Sequence, residues 1–221
     1  MIKAVIFDMD GLMFDTERLF INGFRKLLDD AKIKADDSVI YSLVGRDSKY
    51  VDELEKDYPG IKEAMAIYNR DKIRIFLENF KEEGAANKKG LRELIEYLDD
   101  HSLPYGIASS SYMKHILFFL SKAGFEIRPQ AIVSSKDGYP SKPEPGIFLA
   151  TALKLETKPE ECLVLEDSKN GIIAAARAKM DHIYIPDMIT PDNEMKRYLK
   201  NTCSSLLDVI EYIEETNRKN P

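Results

Sequence analysis

Cysteine, histidine and clustered positive charge are all scarce in this chain. Its two cysteines, Cys162 and Cys203, lie far apart with no pairing pattern. A disulfide framework is therefore excluded, and reduced thiols in a cytoplasmic protein are expected. The three histidines, His101, His115 and His182, are not clustered, which argues against a zinc centre or a histidine phosphatase. Neither cysteine has an arginine six residues later, and no G-x-x-x-x-G-K-[ST] stretch occurs. A cysteine-phosphatase loop and P-loop nucleotide hydrolysis are thus both missing. Net charge is -6, with Lys and Arg scattered among acids, so no electrostatic footprint for nucleic acid or anionic membrane is present. No run reaches the roughly 18 apolar residues of a membrane helix, and the apolar stretch near Met1 is too short for a signal-peptide core.

What is there is enough for a substantial core: 221 residues with 44% apolar content suit one large domain or two unequal ones. Five apolar runs, "KAVIFD", "PYGIASS", "QAIVSS", "ECLVLED" and "HIYIP", are nearly continuous where half-exposed strands would alternate, and predict buried strands. Helical patterns separate the last four: "GLRELIEYLDD" before the second run, then "YMKHILFFLSKAG", "PGIFLATALKL" and "NGIIAAARAKM". This alternation predicts an α/β fold, a doubly wound, Rossmann-like parallel sheet. The first strand breaks the rhythm, because apolar residues then recur at helical spacing, as in "LFINGFRKLL" and "AMAIYNRDKIRIFLENF". The expected organisation is an α/β core of residues 1–14 and 87–221, interrupted by an all-helical cap at 15–86 that acts as a lid. "EEGAANKKG" reads as a mobile linker, "EETNRKNP" at the end as a fraying tail, and the lack of an exposed apolar stripe points to a monomer.

Ligands of doubly wound sheets gather at the carboxyl ends of the strands. There the chain places Asp8 and Asp10 after the first run, Ser109 and Ser110 at the second, Lys142 beyond the third, and Glu166 and Asp167 at the fourth. A turn after a strand would account for Asp8, Asp10 and Gly11 alone. Together the residues suit a phosphate ester. Asp8 and Asp167 fit Mg²⁺, a hard cation that needs only one or two carboxylates. One carboxylate can attack phosphorus, and Asp10 can protonate the leaving alcohol. Ser109 and Lys142 can hold phosphoryl oxygens. Ser110 and Ser111 read as an N-cap pair beside amides that also help bind phosphate. Gly45 and Arg46, in "LVGRDS", either reach from the cap toward substrate or form a turn with a solvated arginine.

These residues carry a resemblance. "FDMDG", "IASSS", "SKPEPGIF" and "VLEDSKNGI" resemble, in order, the four motifs of the haloacid dehalogenase superfamily, closest to the branch of β-phosphoglucomutase and small sugar-phosphate phosphatases. The resemblance implies Asp8 as nucleophile and Mg²⁺ ligand, Asp10 as general acid/base whose carbonyl also binds metal, and Ser109 as phosphate hydroxyl. It further implies Lys142 as the motif lysine, Asp167 as a metal ligand, and Glu166 as a ligand or holder of metal-bound water. Asp15 and Thr16 resemble the "DT" pair opening the cap. The mutase has a histidine four residues after that pair, where this chain has Phe20, which favours hydrolysis of a small phosphorylated metabolite over isomerisation. Lys179 stands where the fourth-motif helix usually closes with glycine. A phosphate-accepting regulatory domain ranks lowest, since it needs neither the helical insertion nor a general acid.

Overall fold

The computed structural model describes residues 1–44, 48–80, 82, 84–188 and 190–219. The chain divides into two compact units, Met1–Asp15 with Ala86–Pro221, and Thr16–Ala85.

The helical unit holds α1 (Thr16–Asp30), α2 (Asp37–Ser42), α3 (Ser48–Leu54) and α4 (Ile61–Asn79). Leu19, Phe24 and Leu28 of α1 and Tyr68, Ile75 and Phe76 of α4 are buried at helical spacing, so each helix contributes an apolar stripe. Gly23 lets the two helices approach closely: a Cβ there would fall 2.4 Å from Cγ2 of Ile75. Phe20 stacks on Phe24 at 5.1 Å and meets Tyr68 edge-on at 5.1 Å.

The other unit is a parallel sheet of β1 (Ala4–Phe7), β2 (Tyr105–Ser109), β3 (Ala131–Ser134), β4 (Cys162–Glu166), β5 (Asp181–Tyr184) and β6 (Asn201–Thr202), in the order β3-β2-β1-β4-β5-β6. Every residue of β1, β2 and β4 is buried, as expected of a parallel sheet covered on both faces. Its helices are α5 (Leu91–Asp100), α6 (Met113–Ser121), α7 (Gly146–Lys154), α8 (Lys169–Arg177) and α9 (Asp208–Lys219). Ile147 and Phe148 of α7 and Ala174 and Ala175 of α8 pack with Ile6 and Val164 in one core cluster. β1 pairs with β2 on one side and β4 on the other, Val5 lying level with both Tyr105 and Leu163. The strand order therefore reverses at β1, the place where such sheets open a crevice beyond their carboxyl ends.

The fold departs from the sequence reading in three places. A sixth strand, Asn201–Thr202, extends the sheet beside β5. Residues 214–219 are not a fraying tail but the end of α9. They are anchored by Asn217, whose Oδ1 accepts from the Ile2 amide at 2.6 Å and whose Nδ2 donates to the Ile2 carbonyl at 3.1 Å. The N-cap of α6 is Tyr112 rather than the Ser110/Ser111 pair, because Ser111 is engaged elsewhere.

The segment returning from the helical unit is tied down at its end. The Asp15 amide donates to the Ala86 carbonyl at 2.8 Å, Phe14 and Asn87 form an antiparallel bridge, and the Lys88 amide donates to the Met13 carbonyl at 2.9 Å.

Candidate active site

Where β1 ends, the Asp8 amide donates to the Leu165 carbonyl at 3.0 Å, carrying the ladder one residue past the strand and fixing Asp8 beside the end of β4. Gly11 then takes a φ of 81°, a left-handed conformation that favours glycine. The chain turns there, with the Gly11 amide donating to Phe14.

Lys142 arrives from the loop before α7, next to a cis Lys142–Pro143 bond. Its Nζ donates to Asp8 Oδ1 and, at 2.6 Å, to Glu166 Oε1. It also lies 4.9 Å from the centre of the Phe148 ring. The side chains of Lys142 and Glu166 are 6% and 0% exposed, so water screens their attraction little. Burial raises the Asp8 carboxyl to about 7, against the pull of Lys142 and with the push of Glu166 and Asp10. Burial would lower the Lys142 ammonium, but the adjacent charges of Asp8 and Glu166 outweigh it and shift the group upward.

Glu166, expected among the metal ligands, has both oxygens committed elsewhere. Oε1 receives Lys142, while Oε2 receives the Ser168 amide at 2.9 Å and the Ser168 hydroxyl at 2.8 Å. Ser168 is itself the N-cap of α8, accepting from the Gly171 amide at 3.0 Å. Glu166 therefore orients Lys142.

Asp10 is gripped from β2. Its Oδ2 accepts from Ser111 Oγ at 2.7 Å and from Ser109 Oγ at 3.3 Å, and Ser109 Oγ in turn accepts from the Ser111 amide at 3.0 Å. Ser134 at the end of β3 donates to the Ser111 carbonyl at 2.7 Å. Ser111, not assigned to the site from sequence, is thus the closer partner of Asp10, and Ser110 points its side chain to solvent. The third serine of "IASSS" was the available signal. Gly45 and Arg46 lie outside the described residues.

Asp167 is 3% exposed and packs against Gly11, where a Cβ would stand 2.3 Å from Asp167 Oδ2 and 3.3 Å from Asp187 Oδ2. Asp187, after β5, was missed by sequence reading. Its Oδ1 accepts from Lys88 Nζ at 2.5 Å. Burial, with the charges of Asp167 and Asp187, pushes the Tyr184 phenol up to about 12.

Among the described residues no three His, Cys, Asp or Glu side chains form a complete metal cage. Of the four acids expected at the metal, Asp8, Asp10, Glu166 and Asp167, it is Glu166 whose two oxygens are both taken, by Lys142 and Ser168. The donor chemistry nevertheless fits a hard divalent cation, which takes oxygen ligands and retains waters, so that two carboxylates suffice. Buried Asp8 and Asp167 offer those.

The haloacid dehalogenase-like hydrolase family matches residues 5–185. The chain belongs to that family. This hydrolase is 27% identical over 186 residues to a phosphorylated carbohydrates phosphatase of Thermotoga maritima, covering 82% of the chain and 84% of that protein. It is 30% identical over 200 residues to hexitol phosphatase B of Escherichia coli, covering 84% of each. In fold the hydrolase matches the crystal structure of β-phosphoglucomutase from Clostridium difficile, with a TM-score of 0.76 at 24% identity over 99% of this chain and 98% of that one. Among the described residues of the hydrolase, no helix is long and apolar enough to cross a membrane.

Proposed function

We propose that this hydrolase is a Mg²⁺-dependent phosphatase of small phosphomonoesters, sugar phosphates among them, working through a phosphoryl group carried on Asp8. One observation supports this most: buried Asp8 stands at the switch point of the sheet with the Lys142 ammonium on one oxygen, two residues before an acid held by two serine hydroxyls. The relatives' names support the substrate class.

Hydrolases of this family generally use a divalent metal, which Asp8, Asp167 and the Asp10 carbonyl would hold. Once bound, it would supply neutralisation of the charge shared by carboxylate and phosphate. Asp8 attacks phosphorus, an Oδ–P bond forming as the ester O–P bond breaks. Asp10 gives its proton to the departing alkoxide, releasing the alcohol. Asp10 then takes a proton from water, whose oxygen attacks phosphorus and breaks the Asp8–phosphoryl bond. Orthophosphate leaves with both residues restored. Lys142, aimed by Glu166, and Ser109 hold phosphoryl oxygens during both displacements. The Thr16–Ala85 unit is the cap that selects the ester.

Isomerisation is not favoured. Where the mutase places its assisting histidine, Phe20 is part of an aromatic cluster with Phe24 and Tyr68 and offers no proton or hydrogen bond to a sugar.

A panel of phosphate esters with Mg²⁺, assayed for released orthophosphate, tests the proposal. Sugar and polyol phosphates should be hydrolysed, and Asp8→Asn should lower kcat by at least about 10³-fold while retaining the wild-type circular dichroism. Phosphate release by Asp8→Asn at the wild-type rate would remove Asp8 as nucleophile. Conversion of β-glucose 1-phosphate to glucose 6-phosphate without free phosphate would make the enzyme a mutase.

A further inference from the structure

Five carboxylates, those of Asp8, Asp10, Glu166, Asp167 and Asp187, stand at the carboxyl end of β1, β4 and β5, against two ammonium groups, Lys142 and Lys88. Lys142 is shared between Asp8 and Glu166, and the hydroxyls of Ser109 and Ser111 serve Asp10. Asp187 is different. Its side chain is 8% exposed, Lys88 occupies Oδ1, and Oδ2 is buried with no hydrogen-bond partner among the described residues. That oxygen faces the α-carbon of Gly11, on the same side as Asp167 Oδ2. A buried carboxylate oxygen without a donor is costly, and a second carboxylate beside it adds repulsion. Such an arrangement persists when something cationic, or a water polarised by a cation, is its partner.

We propose that Asp187 is a further acid of the divalent-cation site, with Oδ2 facing the cation or its coordinated water beside Asp167, and that Lys88 fixes the carboxylate in that orientation. Asp187 fills the place that Glu166, spent on Lys142 and Ser168, leaves vacant. Lys88 pins Asp187 from a segment itself bound to the turn after β1 through the Lys88 amide and the Met13 carbonyl, 2.9 Å apart. The inference rests on the phosphatase reading only for the presence of a cation. A bare structural tie between Lys88 and Asp187 is the competing account, and the two differ in sign.

The test is calorimetric titration of Mn²⁺ or Mg²⁺ into the full chain without substrate, for wild type, Asp187→Asn and Lys88→Met, together with melting in EDTA. Asp187→Asn keeps an oxygen for Lys88 and removes the charge, so cation affinity should fall by about tenfold or more, while the metal-free Tm stays level or rises as repulsion is relieved. Lys88→Met should weaken the cation by a smaller factor. Unchanged affinity in Asp187→Asn overturns the inference, whether or not Tm falls. If wild type binds neither cation yet hydrolyses esters, the inference falls, and of the proposed function the Mg²⁺ dependence falls with it while ester hydrolysis stands. If binding depends on Asp187 but no ester is hydrolysed, the inference stands and the phosphatase reading falls.

Discussion

Replacing Gly171 by alanine should disable the enzyme without altering any group that touches substrate. A Cβ at Gly171 would stand 1.8 Å from both Cδ and Oε1 of Glu166, whereas carbon atoms rest about 3.5 Å apart or more. Gly171 sits in the first turn of α8, whose backbone cannot retreat without breaking the Ser168 cap. Glu166 must therefore move, by roughly 1.5 Å, and it is tied to Lys142 at 2.6 Å and to the Ser168 amide at 2.9 Å. Losing one or two hydrogen bonds to a buried charge removes about 2–4 kcal/mol. The better helix propensity of alanine returns about 1 kcal/mol. The net loss of about 1–3 kcal/mol corresponds to a Tm lower by about 3–10 °C for a protein of this size. Lys142 shifts with its partner, and if it holds a phosphoryl oxygen as proposed, a displacement near 1 Å lowers kcat/KM by about 10²-fold. The assay pairs thermal melting with p-nitrophenyl phosphate kinetics at saturating Mg²⁺. If Tm falls while kcat/KM stays within about threefold of wild type, Glu166 does not aim Lys142; if neither moves, the packing of Gly171 on Glu166 is wrong.

Lys179 occupies a left-handed conformation at the end of α8, φ 58°, so Lys179→Gly should raise stability by about 0.5–1 kcal/mol, read as a higher urea midpoint. Asp10→Asn should slow hydrolysis of sugar phosphates more than of p-nitrophenyl phosphate, because a phenolate leaves without protonation; equal losses would deny Asp10 the general-acid role. Asn217→Ala removes both hydrogen bonds to Ile2 and should destabilise the protein by about 1–2 kcal/mol in chemical denaturation. Hydrogen bonds from Ser204 and Ser205 hold Asp208 below its ordinary pKa of 3.8. Their contribution is present above that value and lost as pH falls below it, so Asp208→Asn should show less acid destabilisation between pH 5 and 2 than wild type.

The strands legible in the sequence were those whose burial leaves an apolar signature. "AVIF", "YGIAS" and "CLVLE" are buried throughout, and a residue sequence with no alternation is what burial on both faces produces. Asn201–Thr202 has no such signature, being two polar residues made a strand by pairing with Ile183 and Tyr184. The end of the last helix reads as a fraying tail for a related reason: the helix's buried face is only Val209 and Ile213, and its docking through Asn217 is a long-range contact that composition does not encode. In the site, the strand-end rule brought Asp8, Lys142 and Glu166 to one place, but not the division of labour among them, because a carboxylate's partner depends on distances of a few ångströms between residues remote in the chain. Ser110 and Ser111 were separable only by knowing which way the chain turns after β2. Asp187 in "YIPDM" looks like any acid in a turn until Gly11 is folded against it.

The bonded pair Asp15–Ala86 and the bridge Phe14–Asn87 close the entrance and exit of the helical unit into a narrow neck. Closing a flexible loop becomes only slightly more unfavourable as it lengthens, so what hangs from that neck can change in length and sequence with little thermodynamic consequence for the sheet. The neck thus acts as a socket, through which lineages of this architecture, or a protein engineer, could trade one helical module for another while leaving the sheet untouched.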